Sequence, residues 1–129
     1  AMSPEHRTKV MYIEDYADIR EPLAALLYAH GYDVALAADG MEAMEALERG
    51  DPPSVILLDL LMPGIVGQSL LDWMRSDGRF AGIPVAIVSA VPQYAPAGVK
   101  VFRKPVAAPA LLEFLRESTR TPEGAQPTS

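Results

Sequence analysis

The chain has 129 residues, half of them hydrophobic, carries a net charge of −6 and contains no cysteine. That length supports one domain with its own core, and the acidic balance leaves no basic stripe to neutralise phosphates, which argues against direct nucleic-acid binding. Disulfides and thiolate metal sites are excluded, and neither a membrane-spanning apolar run nor a signal-peptide pattern occurs.

Residues 1–8 are polar and expected to be flexible, with Ala1 ahead of Met2 reading as a cloning remnant. Val10 to Ile13 is a predicted buried strand. Asp18 is placed to cap a first helix whose apolar face is Ile19, Leu23, Leu26 and Leu27, with Pro22 near its first turn and Gly31 as its stop. Val34 and Leu36 belong to a short second strand. Asp39 is placed to cap a second helix with Met41, Met44 and Leu47 on its inner face, closed by Gly50. Val55 to Leu58 is apolar at every position, the pattern of a strand covered on both faces. A third helix follows over about 66–76, with Leu70, Leu71 and Met74 inward. Pro84 to Val88 is a fourth strand and Val99 to Phe102 a fifth. Between them Pro92 and Pro96 leave no helical period. Pro109 opens a last helix with Leu111, Leu112 and Leu115 as its buried stripe. Residues 121–129 read as a flexible tail or linker, so the domain is expected over 9–120. Alternating strands and helices predict an α/β fold with a parallel sheet.

The chemistry gathers where these strands end. Glu14 and Asp15 follow the first strand, Asp59 the third, Ser89 the fourth, and Lys104-Pro105 the fifth. The carboxyl edge of a parallel sheet is where ligands bind. Three carboxylates make an oxygen-only set suited to Mg2+, which keeps several waters and shares its shell with a phosphate. A divalent cation also relieves the repulsion between close carboxylates. Asp59 can then serve as a carboxylate nucleophile for a phosphoryl group, with Ser89 as a hydroxyl donor and Lys104 as a point charge on a phosphoryl oxygen. Lys104-Pro105 is a candidate cis peptide. Taken singly, each feature has a plainer reading: an acidic pair caps a helix, Asp59 or Pro63-Gly64 makes a turn, and Lys104 is a solvated charge. Their convergence on one sheet edge favours the chemical reading.

These residues resemble a response-regulator receiver domain of bacterial two-component signalling. The likeness rests on Glu14-Asp15, on Asp59 with Met62-Pro63 and Gly67, on Ser89-Ala90 and on Lys104-Pro105. The spacings of 44 residues from Asp15 to Asp59 and 30 from Asp59 to Ser89 agree with that family. The resemblance implies a flavodoxin-like three-layer sandwich whose five-stranded parallel sheet has the order 2-1-3-4-5. It implies Asp59 as phosphoacceptor, Glu14 and Asp15 as Mg2+ ligands or orienters of its waters, and the backbone carbonyl of Leu61 as a further ligand. Ser89 would hydrogen-bond the phosphoryl group and Lys104 would pair with it. The donor would be a phosphohistidine on a histidine kinase or histidine phosphotransfer protein in the cytoplasm, and the chain would not otherwise be an enzyme.

Two departures stand out. Only 15 residues separate Ser89 from Lys104, about two helical turns fewer than usual, so the fourth helix should be shortened or absent and 91–98 a loop or single turn. The family's aromatic switch position, three before the lysine, is Val101. Phe102 should point to the other face by strand alternation, which leaves Tyr94 as a conceivable substitute. The usual symmetric dimer through helix 4, strand 5 and helix 5 is therefore not expected, and the output partner is not specified by the sequence. Apolar Leu61 and Val91 flank the phosphoacceptor and predict slow self-dephosphorylation.

Three other readings compete. A phosphorylation-independent binding module of the same fold is favoured by Val101 and the short segment, and opposed by Asp59, Ser89 and Lys104. A haloacid-dehalogenase-type phosphatase needs a second aspartate two residues after the first, where Leu61 stands. A flavodoxin-like carrier needs a Ser/Thr/Gly loop after strand 1, and here the acidic run from Glu14 to Asp18 would repel phosphate. His6 and His30 have no partner in the sequence that suggests chemistry, and Trp73 is expected to pack, half exposed.

Overall fold

The computed structural model describes residues 8–14, 17–50, 52–59, 67–96 and 98–119, with the backbone alone for 17–20, 67–68 and 94. Its elements are β1 (Thr8–Ile13), α1 (Ala17–Ala29), β2 (Tyr32–Ala37), α2 (Gly40–Glu48), β3 (Val55–Asp59), α3 (Gly67–Arg75), β4 (Val85–Ser89), β5 (Lys100–Arg103) and α4 (Ala108–Thr119). A single 3-10 turn, Pro92–Tyr94, stands between β4 and β5. The five strands form one parallel sheet in the order β2-β1-β3-β4-β5, the order implied by the resemblance.

Strand alternation sorts the core into two halves. Met11, Ile13, Ile56, Leu58 and Ile87 face α2 and α3, where Ala43, Leu47, Leu70, Leu71 and Met74 meet them. Val10, Tyr12, Val55, Leu57, Ala86, Val88 and Phe102 face α1 and α4, packing on Leu27, Leu111 and Leu115. Every residue of β3 is buried, as its unbroken apolar run requires of a strand with helices on both sides. Register then aligns the carboxyl ends: Ile13 pairs with Leu58, Asp59 with Val88, and Ser89 with Arg103.

The helix ends follow local chemistry. The Asp39 side chain accepts the Glu42 amide at 2.8 Å, which satisfies one orphan donor of the first turn of α2, while Glu42 Oε1 accepts the amide of Ala38, just ahead of the cap, at 2.9 Å. Gly31 and Gly50 follow α1 and α2 with φ of 95° and 99°, the left-handed turn that ends a helix and that other residues adopt at a cost.

The structure differs from the sequence reading at several points. Met41 is 53% exposed, and the inner face of α2 is Gly40, Ala43 and Leu47, with Met44 only partly buried. The buried spacing runs through Gly40, Ala43 and Leu47, so the small residues take the inner face and Met41 turns outward. Pro22 lies inside α1, because the helix begins at Ala17, ahead of the anticipated cap Asp18. The side chains of Asp18 and Ile19 are outside the described set. In α4, Leu111 and Leu115 are buried as expected, and Leu112 is partly so. The N-terminal segment expected to be flexible over 1–8 is corrected at Thr8, which pairs with Tyr32 as the first residue of β1; residues 1–7 and the expected tail 121–129 lie outside the described residues.

Asp39→Ala should lower the stability of the fold by about 1 kcal/mol through loss of the cap, whereas Met41→Ala should change it by less than about 0.5 kcal/mol. Thermal or urea unfolding of the two variants tests the corrected face of α2. A larger loss from Met41→Ala would place that side chain in the core.

Candidate functional site

Three side chains meet at the carboxyl edge of the sheet. Glu14 follows β1, and its amide donates to the Ala37 carbonyl at 3.0 Å, which carries the β1–β2 ladder one residue past the strand. Its carboxylate is fully buried. Asp59 closes β3 and is 5% exposed. Lys104 follows β5, and its amide donates to the Ser89 carbonyl at 2.9 Å, so its backbone is tied to the end of β4. The Lys104–Pro105 peptide is cis, as anticipated. The Lys104 ammonium donates to Glu14 Oε1 at 2.7 Å and lies 3.5 Å from Asp59 Oδ2. Residues 90 positions apart thus form one part-buried ion set.

Ser89 is fully buried at the end of β4. Its hydroxyl accepts the Val91 amide at 2.9 Å, which turns the chain sharply out of the strand. By alternation Ser89 sits on the α3 side of the sheet, across the edge from the carboxylates. Asp15 and the Leu61 carbonyl lie outside the described residues, as do Met62, Pro63 and Gly64. Of the anticipated set, Glu14, Asp59 and Lys104 are in contact, and Ser89 stands on the neighbouring strand end.

One residue of this cluster escaped the sequence reading. Tyr12, taken there only as part of an apolar strand, is 1% exposed, and its hydroxyl donates to Glu14 Oε1 at 3.2 Å. The available signal was the two-residue spacing, which puts Tyr12 and Glu14 on the same face of β1, together with a hydroxyl inside an otherwise apolar run.

The electrostatics follow from burying two carboxylates beside the Lys104 ammonium. Burial pushes Glu14 up, the hydrogen bond it shares with Asp59 pushes it further, and the opposing pull of Lys104 does not restore it, so it reaches about 7. Burial works against the charged form of Lys104, but the bond to Glu14 and the two nearby carboxylates outweigh it and hold the group above its ordinary value. Tyr12 is also raised, first by burial and then by the Glu14 charge. The two carboxylates offer oxygen donors suited to a hard divalent cation. Among the described residues no three His, Cys, Asp or Glu side chains gather on one point. The remaining donors of a metal shell would be water, a phosphoryl oxygen or residues outside that set.

The surroundings match the two departures seen in the sequence. The 3-10 turn Pro92–Tyr94 replaces a full helix between β4 and β5. Val101 packs on the α2/α3 side, while Phe102 is buried on the other face, in edge contact with Phe114 at 5.6 Å between ring centres. No aromatic of β5 therefore stands on the Ser89 side. Tyr94's side chain is outside the described set. A cavity of about 600 Å³ opens beside Lys104, between α1 and the segment after β5, lined by Tyr12, Leu23, Leu26, Val88, Pro105 and Val106. Away from the site, Trp73 stacks on Phe80 at 5.3 Å and is only partly buried. His30 is exposed with Nδ1 2.9 Å from the Leu26 carbonyl, and His6 lies outside the described residues. No helix among those described is long and apolar enough to cross a membrane.

Comparison with known proteins agrees with this geometry. Residues 10–115 match the family model of the response regulator receiver domain. Over 84 residues the chain is 32% identical to the DNA-binding response regulator MtrA of Mycolicibacterium paratuberculosis, a stretch covering 65% of this chain and 36% of that protein. The chain thus spans about a third of the length of the curated relatives it matches. Among solved structures, the receiver domain of the hybrid histidine kinase CckA superposes with a TM-score of 0.73 at 33% identity, covering 87% of this chain and 99% of that one. The receiver domain of a Pseudomonas aeruginosa sensor histidine kinase, solved with a magnesium ion coordinated in its active-site cleft, superposes with a TM-score of 0.80. That pair is 24% identical over 88% of this chain and 98% of the other, a likeness of fold alone. With the family model spanning both the sheet and the acidic edge built on it, this chain belongs to the response regulator receiver domains of two-component signalling.

Proposed function

We propose that this chain accepts a phosphoryl group on Asp59 from a phosphohistidine, with Mg2+ as cofactor, and that its output face is atypical. Receiver domains are signalling domains that work with histidine kinases or phosphotransfer proteins. The observation that carries the specific reading is the ion set: the lysine just after β5 within 3.5 Å of carboxylates at the ends of β1 and β3, at the ligand edge of the sheet. In the transfer, an Asp59 carboxylate oxygen attacks phosphorus in line. A P–O bond forms, the P–N bond to imidazole breaks, and the imidazole leaves with the bonding pair. Lys104 neutralises one phosphoryl oxygen, and Ser89 donates a hydrogen bond to another. Glu14, and Asp15 beside it in sequence, are the residues that would hold Mg2+ or its waters, with Asp59 and the Leu61 carbonyl completing the protein ligands. The cation supplies charge neutralisation for the phosphoryl oxygens. The fit is chemical: Glu14 is raised to about 7 largely because it is buried against a second carboxylate, a situation that a divalent cation relieves.

The apolar cavity beside Lys104 gives the donor a surface to seat against. On the opposite side, the short turn at Pro92–Tyr94 and Val101 remove the usual helix and aromatic from the output face. These features also favour a second reading, a receiver-fold module that binds its partner regardless of phosphate.

Intact mass after incubation with acetyl phosphate should gain one phosphoryl group that requires both Mg2+ and Asp59. Asp59→Asn should reduce the adduct by more than about a hundredfold. Partner binding indifferent to this substitution and to phosphodonor would support the second reading. The phosphorylated chain, or its beryllofluoride form, should sediment as a monomer, and a stable dimer would contradict the altered output face. Glu14 has a folded-state value of about 7 against an ordinary 4.5, so its contribution to stability is complete below pH 4.5 and is lost as pH rises through 7. In the presence of chelator, the thermal midpoint of the wild type should fall relative to Glu14→Gln between about pH 5 and about pH 8. Parallel profiles would mean that Glu14 titrates normally.

A further inference from the structure

Tyr12 brings a hydroxyl to the acidic cluster from inside the core. It lies in β1, two residues before Glu14 and on the same face. It belongs to the core cluster that includes Leu27, Leu57, Val88 and Leu111, and it forms part of the wall of the 600 Å³ cavity. A phenol in that position is not needed for packing: an apolar ring of the same shape would fill the space, and burying a hydroxyl is unfavourable unless it is bonded. Here it is bonded, to Glu14 Oε1 at 3.2 Å. The same oxygen accepts from the Lys104 ammonium at 2.7 Å. Two donors from different strands therefore converge on one oxygen of a fully buried carboxylate.

Convergence on one oxygen fixes the rotation of the group. Lys104 alone cannot do this reliably, since its ammonium also serves Asp59 at 3.5 Å and would turn toward a phosphoryl oxygen once one arrives. Tyr12 has a short, rigid side chain with two torsions, and its ring is held by the core on both sides. It keeps Glu14 anchored when the lysine is drawn away. Carboxylates that ligate metals are commonly held by such outer partners.

We infer that Tyr12 is a positioning residue for the cation site, its hydroxyl orienting Glu14 through Oε1 so that the carboxylate stands ready for Mg2+. This rests on the reading of the edge as a cation-assisted phosphoacceptor site and adds a role that the family match does not assign.

The test is calorimetric titration of the whole chain with Mg2+ alone, on the wild type, Tyr12→Phe, Glu14→Gln and the double variant, each paired with thermal unfolding in chelator. Tyr12→Phe keeps the ring and removes only the hydroxyl. It should weaken Mg2+ binding about tenfold, the usual loss when an outer partner of a metal ligand is removed. In the Glu14→Gln background the same change should weaken binding less than about twofold, because the carboxylate it orients is gone. Equal losses in both backgrounds, or unchanged Mg2+ affinity alongside a shifted thermal midpoint, would make Tyr12 a packing residue and overturn the inference. Wild-type protein that takes up no Mg2+ at millimolar concentration would overturn the cation-site reading itself, and the inference with it. Wild-type binding with an indistinguishable Tyr12→Phe curve defeats the inference alone.

Discussion

The lysine ammonium between two buried carboxylates is the interaction on which the rest of this structure depends. Glu14, Asp59 and Lys104 come from three strands, and only a parallel sheet in one particular register sets their ends side by side. Removing one member of a buried ion set leaves the others uncompensated, which is far costlier than the set's net stabilisation is favourable. The core below the edge can therefore be seen as a scaffold for an electrostatic arrangement whose desolvation cost cancels much of its attraction. The unbroken apolar run of β3 and the two-sided packing of the sheet supply the excess that offsets it. The incomplete charge balance, visible in the raised Glu14, is the trace of that conflict. Functional sites are where such local disagreement with the fold is expected.

The two sides of the sheet carry different burdens. On the α1/α4 side the core is continuous from Val10 through Phe102 to Phe114 and reaches the acidic edge through Tyr12. On the α2/α3 side, partly buried Val85, Ala95, Val99 and Val101 border β4 and β5 where a fourth crossover helix would otherwise lie. Ser89 is directed to this thinner side, and its hydroxyl already holds the Val91 amide at the start of the short turn. A phosphoryl group that drew the Ser89 hydroxyl away would compete with that bond and so act first on the 91–96 backbone. This would be a local backbone response in place of an aromatic rotation.

Much of this was legible in the sequence because its signals are periodic or positional. Apolar runs ending in Glu14, Asp59 and Ser89 gave the strands and the edge together, and Pro92 and Pro96 ruled out a full helix before β5. Phe102 was placed on the face away from Ser89 by alternation alone, and the structure agrees. What was missed depends on rotation about an element and on reach beyond it. Even with Asp39 as the cap, hydropathy favours Met41 over Ala43, and only the rotation of α2 against the sheet turns Ala43 inward and Met41 out. Pro22 could be assigned to a first turn only while the helix was thought to begin after Asp18. Tyr12 reads as one more apolar residue of a strand, because hydropathy does not register where a phenol oxygen ends. The contact with Glu14 exists only once β1 continues past Ile13 through the amide of Glu14.

The brevity of the β4–β5 link also bears on how the chain finds its fold. Residues 90–99 join two parallel neighbours, close to the shortest span such a crossover allows. Shortening a flexible link by two helical turns lowers closure entropy only by about half a kcal/mol. Two prolines, Pro92 and Pro96, restrict the unfolded segment further. The pairing of β4 with β5 thereby becomes one of the more local events in a topology otherwise built from distant contacts. The strand that delivers the lysine to its carboxylates is thus held on a short, stiff tether, and the last piece of the charged edge has the least distance to search.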